Sequence, residues 1–190
     1  MNNEDDLKSI NEIIAGRFSR VTEGVLSATT PNSLFENLLG GIEKEFAVPF
    51  VWLSLIDDEI IMPIIEEMES SGLLKSRFSV VSQEFMDTLL TGGMKPVLAN
   101  QNLKPFYRLL PPSRKYFVRS IAVVPFALDG RMIGTWNNGD ADANRYEPDM
   151  KTDFIEKLAS QISEKLSQLV RDRKNVPEPS GEDSPSGGLP

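Results

Sequence analysis

The chain has 190 residues, a formal net charge of −8, and neither cysteine nor histidine. The length suits one domain with its own hydrophobic core. The missing residue types exclude thiol nucleophiles, disulfides, imidazole bases and haem held by His or Cys. The acidic balance argues against a nucleic-acid groove, which needs clustered Lys and Arg.

Neither the first residues nor the apolar runs of the sequence have the pattern of a membrane-targeting or membrane-spanning segment. The first residues are acidic and polar, whereas a secretory signal begins with positive charge and continues into an apolar stretch. The longest apolar run, Ile121–Leu128, is far shorter than the roughly 20 residues that span a bilayer. We therefore expect a cytoplasmic protein that does not bind membranes. Residues 173–190, rich in Pro, Gly, Ser and acid, are predicted to be a disordered tail.

Two helices are predicted in the first 46 residues. From near Asp5, apolar residues recur every three or four positions, namely Leu7, Ile10, Ile14, Phe18, Val21 and Val25. Thr30 is the expected cap of the second helix, with Pro31 in its first turn. Gly40 and Gly41 interrupt this helix and predict close packing of that face on a sheet.

The pattern then changes to strands. Phe50–Ile56 is aromatic and β-branched, and it predicts a hairpin through 57–59 into a second strand at 60–62. Pro63 and the acidic run 66–72 indicate a loop or a short helix. Further along, we predict strands at 78–81 and 95–100, separated by a helix that Ser82 caps and 91–93 terminates.

The clearest β signal is a hairpin near residue 129. Ser120–Leu128 and Met132–Trp136 are joined by Asp129-Gly130, a pair that accepts the positive φ of a tight turn. Pro125 predicts a bulge or an edge position. A long amphipathic helix is expected from Pro148 to Val170. The predicted class is therefore α+β, with one antiparallel sheet and helices at both chain ends.

Three segments resemble known families. "FMDTLLTGGMKPVLAN" and "VRSIAVVPFALDGRMIGTW" resemble GAF domains, through Thr91-Gly92, Val97-Leu98, Ser120 with Pro125, and Ile133-Gly134. "NNGDADANRYEPDMKTDFIEKLASQI" is similar to the DUF484 family, through Gly139-Asp140, Arg145-Tyr146, Pro148, Met150 and Thr152, with Tyr146 where that family has Phe.

The resemblance implies a GAF-like antiparallel sheet with the N- and C-terminal helices packed together on one face and a ligand cavity on the other. It implies a dimerisation helix at 1–30, a GAF-like domain at 31–172, and a homodimer formed by the terminal helices. The Cys that attaches bilins, the His that holds haem and the redox Cys of free methionine sulfoxide reductases are all absent. DUF484 membership supplies no settled biochemical role.

Basic and aromatic residues between 106 and 119 suggest a clamp for a small apolar or anionic ligand. The alternative is a surface loop that only covers the sheet. Trp52 and Trp136, on strands, would be pocket walls if they faced the cavity, and core residues otherwise. Asn137 and Asn138 are interpreted as turn formers. The complete candidate set is Trp52, Phe78, Phe106, Tyr107, Arg108, Tyr116, Arg119 and Trp136.

The function expected from the sequence is a non-enzymatic sensory or regulatory module that signals to an unidentified protein partner, without a cofactor or a metal. One alternative is a scaffold that dimerises without a ligand. Another is an enzyme using carboxylates and a metal, for which Asp57–Glu59, Glu66–Glu69, Asp140 and Asp142 are the available acids. We interpret those acids as solvated turn and loop charges.

Overall fold

The structure, a computed structural model, describes residues 3–91, 93–110 and 116–174. The helices are α1 (Asn3–Leu26), α2 (Pro31–Phe46), α3 (Met62–Ser70), α4 (Gln83–Leu90) and α5 (Asp153–Lys174), with a 3₁₀ helix, η1 (Lys104–Arg108). The strands are β1 (Phe50–Ile56), β2 (Phe78–Val81), β3 (Val97–Ala99), β4 (Ser120–Leu128) and β5 (Arg131–Asp140). The predicted α+β class is confirmed.

The strands form one sheet in the order β2-β1-β5-β4-β3. Every neighbouring pair is antiparallel except β1 and β2, which are parallel and joined across α3. The predicted second strand at 60–62 is therefore wrong. Ile61, Ile64, Ile65 and Met68 are buried at helical spacing, and Pro63 lies in the first turn of α3, so this segment forms a crossover helix.

The terminal helices α1 and α5 pack together with α2 and α3 on one face of the sheet, as predicted. Phe18 of α1 stacks on Phe154 of α5, with ring centroids 5.3 Å apart. The sequence predicted that the face of α2 carrying Gly40 and Gly41 packs closely on the sheet, and this prediction was wrong. A Cβ on Gly41 would lie 3.4 Å from Val21 of α1, so the close approach is between two helices and not between α2 and the sheet.

The opposite face of the sheet, called here the second face, is covered by α4, η1 and the segment around Val118. Its buried apolar cluster consists of Trp52, Ile56, Val81, Met86, Leu90, Ala99, Phe106, Leu109, Leu110, Val118, Ile121 and Val123. Two hydrophobic clusters therefore sandwich the sheet, one under the helix layer and one on the second face.

The β4–β5 hairpin forms as predicted. Asp129 and Gly130 have φ values of 48° and 82°, the left-handed conformation that a tight primed turn needs. Pro125 lies beyond the residues of β4 that pair with β3, and a register irregularity follows between Phe126 and Ala127. The expectation of an edge position is met, because β3 does not extend as far as Pro125, whereas the irregularity skips Ile133 of β5 and is not a bulge at Pro125.

Helix termini follow the sequence signals at most positions. Thr30 and Ser33 form a capping box at α2, and Ser82 caps α4. However, α5 begins at Asp153 and not at Pro148, because a turn at Glu147–Met150 comes first. It ends at Lys174, so residues 173 and 174 are helical and not part of a tail. Residues 175–190 of the predicted tail lie outside the described residues.

Candidate functional site

A row of polar side chains crosses three strands on the second face. Ser54 of β1 pairs in register with Ser79 of β2 and Thr135 of β5, and Asn137 pairs with Trp52. Paired residues project from the same face of a sheet, which puts these polar groups beside Trp52. Ser54, Thr135 and Asn137 are all 0% exposed. We call these residues (Ser54, Ser79, Thr135 and Asn137) the polar floor.

Hydrogen bonds connect the polar floor from one strand to the next. Asn137 Nδ2 donates to Ser54 Oγ at 3.0 Å, and Thr135 Oγ1 donates to Asn137 Oδ1 at 3.0 Å. Ser54 Oγ lies 3.4 Å from Ser79 Oγ. An Asn amide carries two N–H donors and an oxygen with two lone pairs, so these contacts use only part of its capacity. All four side chains are neutral and able to donate and accept.

Apolar groups surround the polar floor. The indole Nε1 of Trp52 donates to the carbonyl oxygen of Leu109 at 2.7 Å, which fixes η1 against the sheet. A Cβ at position 139 would lie 3.0 Å from Val118 Cγ2 and 3.2 Å from Trp52 Cζ3, so Gly139 leaves the space that the indole occupies. Met86 of α4, 0% exposed, packs in the same cluster.

A cleft of about 400 Å³ opens at one end of the second face, between α4 and the β4–β5 hairpin. Gln83 and Asp87 of α4 line one side, and Gly130, Arg131 and Met132 line the other. Met132 also packs against the second-face cluster. The cleft therefore connects solvent with the edge of this cluster.

Four of the eight candidate residues lie on the second face. Trp52 and Phe106 are buried there, and Tyr107 is half-buried against the same cluster. Arg108 is exposed at the rim, with its guanidinium 4.5 Å from the ring centroid of Phe85 in α4. Arg114 lies outside the described residues.

The remaining candidates do not join that group. Trp136 and Phe78 pack against the helix-layer cluster, so they lie on the opposite face of the sheet from Trp52, and their assignment as walls of the same pocket is corrected. The reason is strand alternation, since Trp136 pairs in register with Leu53 and not with Trp52. Tyr116 is 88% exposed, and Arg119 is exposed.

Sequence reasoning missed the polar floor. Asn137 and Asn138 are not turn residues, because β5 continues to Asp140 and both side chains are buried within it. A signal was available: Ser54 is the only polar residue in "FVWLSLI", and Thr135 and Asn137 alternate with Trp136. Buried polar positions that recur on one face of neighbouring strands indicate a polar surface inside the fold.

Burial raises the pKa of Tyr146 to about 12, which keeps its hydroxyl protonated. Within residues 3–91, 93–110 and 116–174, no three carboxylates converge to hold a metal ion. The same part of the chain contains no helix that is long and apolar enough to cross a bilayer.

Comparison with known proteins finds structural similarity without sequence similarity. No family model matches the chain, and no curated protein sequence matches it. The GAF domain of an Acinetobacter phosphoenolpyruvate-protein phosphotransferase is 14% identical, with a TM-score of 0.58, and the match covers 94% of this chain and 99% of that one.

Two other similar structures contain small molecules. The free methionine-R-sulfoxide reductase of Neisseria meningitidis, in complex with its substrate, is 14% identical with a TM-score of 0.55, covering 82% of this chain and 89% of that one. A far-red absorbing protein with bound biliverdin IXa is 15% identical with a TM-score of 0.54, covering 81% and 99%. At these identities the similarity establishes a GAF-like fold.

Proposed function

We propose that this chain is a non-enzymatic, cytoplasmic sensory or regulatory module of the DUF484 kind, which binds a small molecule on the second face and acts on a protein partner as a homodimer. The observation that carries the proposal is the polar floor, a hydrogen-bonded row of neutral side chains inside an otherwise apolar cluster. Ligand pockets combine such apolar walls with a few convergent polar groups.

The composition of this face suggests the class of ligand. The polar floor offers hydroxyl and amide groups without formal charge, and Trp52, Met86 and Phe106 offer apolar surface. A flat neutral molecule with several hydrogen-bonding groups fits this combination. Arg108 at the rim adds a cation for an acidic substituent that stays near solvent, where a charge costs little to bind.

Helix α5 is the element through which we propose that occupancy is transmitted. Ser163 Oγ accepts from the N–H of Ala127, and Ser167 Oγ accepts from the N–H of Asp129, both at 2.9 Å. Arg171 Nη1 donates to the carboxylate of Asp129 at 2.6 Å. Successive turns of α5 therefore form hydrogen bonds with the end of β4 and with the hairpin turn. We call these three contacts the α5 seam. A ligand that changes the position of the β4–β5 hairpin would act on α5 through the seam.

The dimer part of the proposal depends on the first turns of α1. Val21, Val25 and Ala28 are buried in the helix layer of the same chain, whereas Ile10 and Ile13 are 52% and 54% exposed. A second copy that pairs with this segment would cover both isoleucines. C2 pairs are the commonest homo-oligomers, and burial of apolar surface is their main driving force.

Ligand binding is tested by thermal shift with a panel of nucleosides, cyclic nucleotides, amino acids and tetrapyrroles. A compound that binds the native state raises the melting temperature by mass action. Thr135→Val removes the hydroxyl from the polar floor and keeps the side-chain shape, and we expect it to abolish most of the shift. Thr22→Val makes the same chemical change in the helix layer, where Thr22 contacts Gln161, and should leave the shift unchanged.

Two results would contradict the ligand proposal. One is a panel in which no compound shifts the melting temperature. The other is a ligand-induced shift that Thr135→Val and Thr22→Val reduce equally, because the polar floor would then have no special part in binding. A scaffold without a ligand would give no shift with any compound, and a carboxylate–metal enzyme would lose activity in chelator.

A further inference from the structure

Two buried polar atoms on the helix-facing side of β5 have no hydrogen-bond partner within the described residues. They are the indole Nε1 of Trp136, which is 0% exposed, and the amide Oδ1 of Asn138, which is 4% exposed. Residues two apart on a strand project from the same face, with their Cα atoms about 7 Å apart. Two neighbouring side chains under the helix layer therefore carry one unpaired donor and one unpaired acceptor.

The surrounding sheet supplies no partner for either atom. Trp136 lies in register between Leu53 and Val124, and Asn138 lies between Val51 and Ala122. All four neighbouring side chains are apolar, and the backbone groups of these strands pair with one another. An unpaired buried polar atom loses the hydrogen bond that water gave it in the unfolded chain, so native proteins rarely leave one unsatisfied.

The two atoms have complementary requirements. Trp136 Nε1 can only donate, and Asn138 Oδ1 can only accept, so they could pair directly, but no such hydrogen bond forms. A single water molecule satisfies both, because its oxygen accepts from the indole while one of its hydrogens is donated to the amide. Ala122, which pairs with Asn138, is the smallest of the four side chains in register with these residues.

We infer that an internal water molecule binds between Trp136 and Asn138, under the helix layer. This site is separate from the proposed ligand site, because it lies on the other face of the sheet. Its role is to hold the Trp136 ring in one orientation at the centre of the helix-facing core. Internal waters of this kind commonly make about three hydrogen bonds and are an integral part of the fold.

The chain supplies its own control, because it has two tryptophans and both are buried. Trp52 already donates to Leu109, whereas Trp136 has no protein acceptor. In ¹⁵N-labelled protein, rotating-frame water–protein cross-peaks distinguish dipolar contact with a bound water from proton exchange by their sign. We expect a dipolar cross-peak at the Trp136 indole proton and none at Trp52. Absence of the Trp136 peak would overturn the inference.

A second measurement uses substitutions. Trp136→Phe and Asn138→Ala each remove one side of the water site, so the fall in melting temperature of the double variant should be smaller than the sum of the single falls. Trp52→Phe combined with Asn138→Ala is the control pair and should be additive. Additivity in both pairs contradicts a shared water. If Trp136→Phe does not fold, the cross-peak in the unsubstituted chain decides the question alone.

Discussion

Position 139 shows how one missing side chain organises the second face. Gly139 faces Trp52 and Val118, and any Cβ there would press on both side chains. Gly40 differs from Gly139, because nothing lies within 4 Å of the Cβ that an alanine would add there. Glycine is therefore required by packing in β5, whereas in the exposed middle of α2 it only lowers helix propensity.

Gly139→Ala should destabilise the fold by about 1–3 kcal/mol, because the added methyl group displaces Trp52 from its hydrogen bond with Leu109. Gly40→Ala should stabilise the fold by up to about 1 kcal/mol. Urea unfolding measures both changes. Equal effects of the two substitutions would contradict the packing seen at Trp52.

The burial of Tyr146 predicts that the folded chain loses stability at high pH. The pKa of Tyr146 is raised by burial from 10.0 to about 12, so the folded chain retains a proton that the unfolded chain releases above pH 10. The contribution of Tyr146 to the free energy of unfolding is fully present below pH 10 and is lost as the pH rises through 12. A shift of this size corresponds to roughly 3 kcal/mol at most.

Tyr146→Phe removes that titration. We expect the unfolding free energy of the unsubstituted chain to fall more steeply than that of Tyr146→Phe between pH 10 and 12, and the two curves to run parallel from pH 7 to 9. Parallel curves across the whole range would show that Tyr146 titrates normally in the folded chain.

At the scale of elements, local signals predicted α1, α2, α4 and the β4–β5 hairpin correctly. Thr30, Ser82 and Asp129-Gly130 act on the backbone within a few residues, so their effects can be read from the sequence. The segment at 60–62 was misread because a short apolar run fits a strand and a buried helix equally well. Only its packing against the sheet, through Ile64, Ile65 and Met68, decides between them.

The polar floor illustrates what local patterns leave open. Each strand shows a polar residue in an apolar run, but only the register between β1, β2 and β5 brings Ser54, Ser79 and Asn137 together. The same limit applies to the two tryptophans. Each was expected on a strand, and the pairing register determines which face each one occupies.

The α5 seam gives a prediction at this scale. Ser163→Ala should leave the N–H of Ala127 without its acceptor, at a cost of about 1–3 kcal/mol, and should speed hydrogen exchange at that amide. Ser160→Ala is the matched control, since Ser160 is exposed and its hydroxyl donates to Glu164 of the same helix. Equal protection of Ala127 in both variants would contradict the seam.

At the scale of the whole molecule, the helix layer buries a large apolar cluster within one chain, whereas Ile10 and Ile13 of α1 are exposed. Ile10→Glu combined with Ile13→Glu should convert the proposed dimer to a monomer in analytical ultracentrifugation, because buried carboxylates would oppose pairing. Leu73→Glu, at a residue 62% exposed in the turn after α3, is the control and should leave the dimer intact. A monomer in all variants and in the unsubstituted chain would remove the dimer from the proposal.

The sheet separates two environments, each with one indole. Trp52 reports on the second face and Trp136 on the helix-facing core. The most direct test of a ligand site on the polar floor is a ¹H–¹⁵N titration of the two indole resonances with a compound that raises the melting temperature. We predict that the Trp52 resonance shifts in a saturable way while the Trp136 resonance moves much less. A saturable shift confined to Trp136, or to neither indole, would contradict binding at this face.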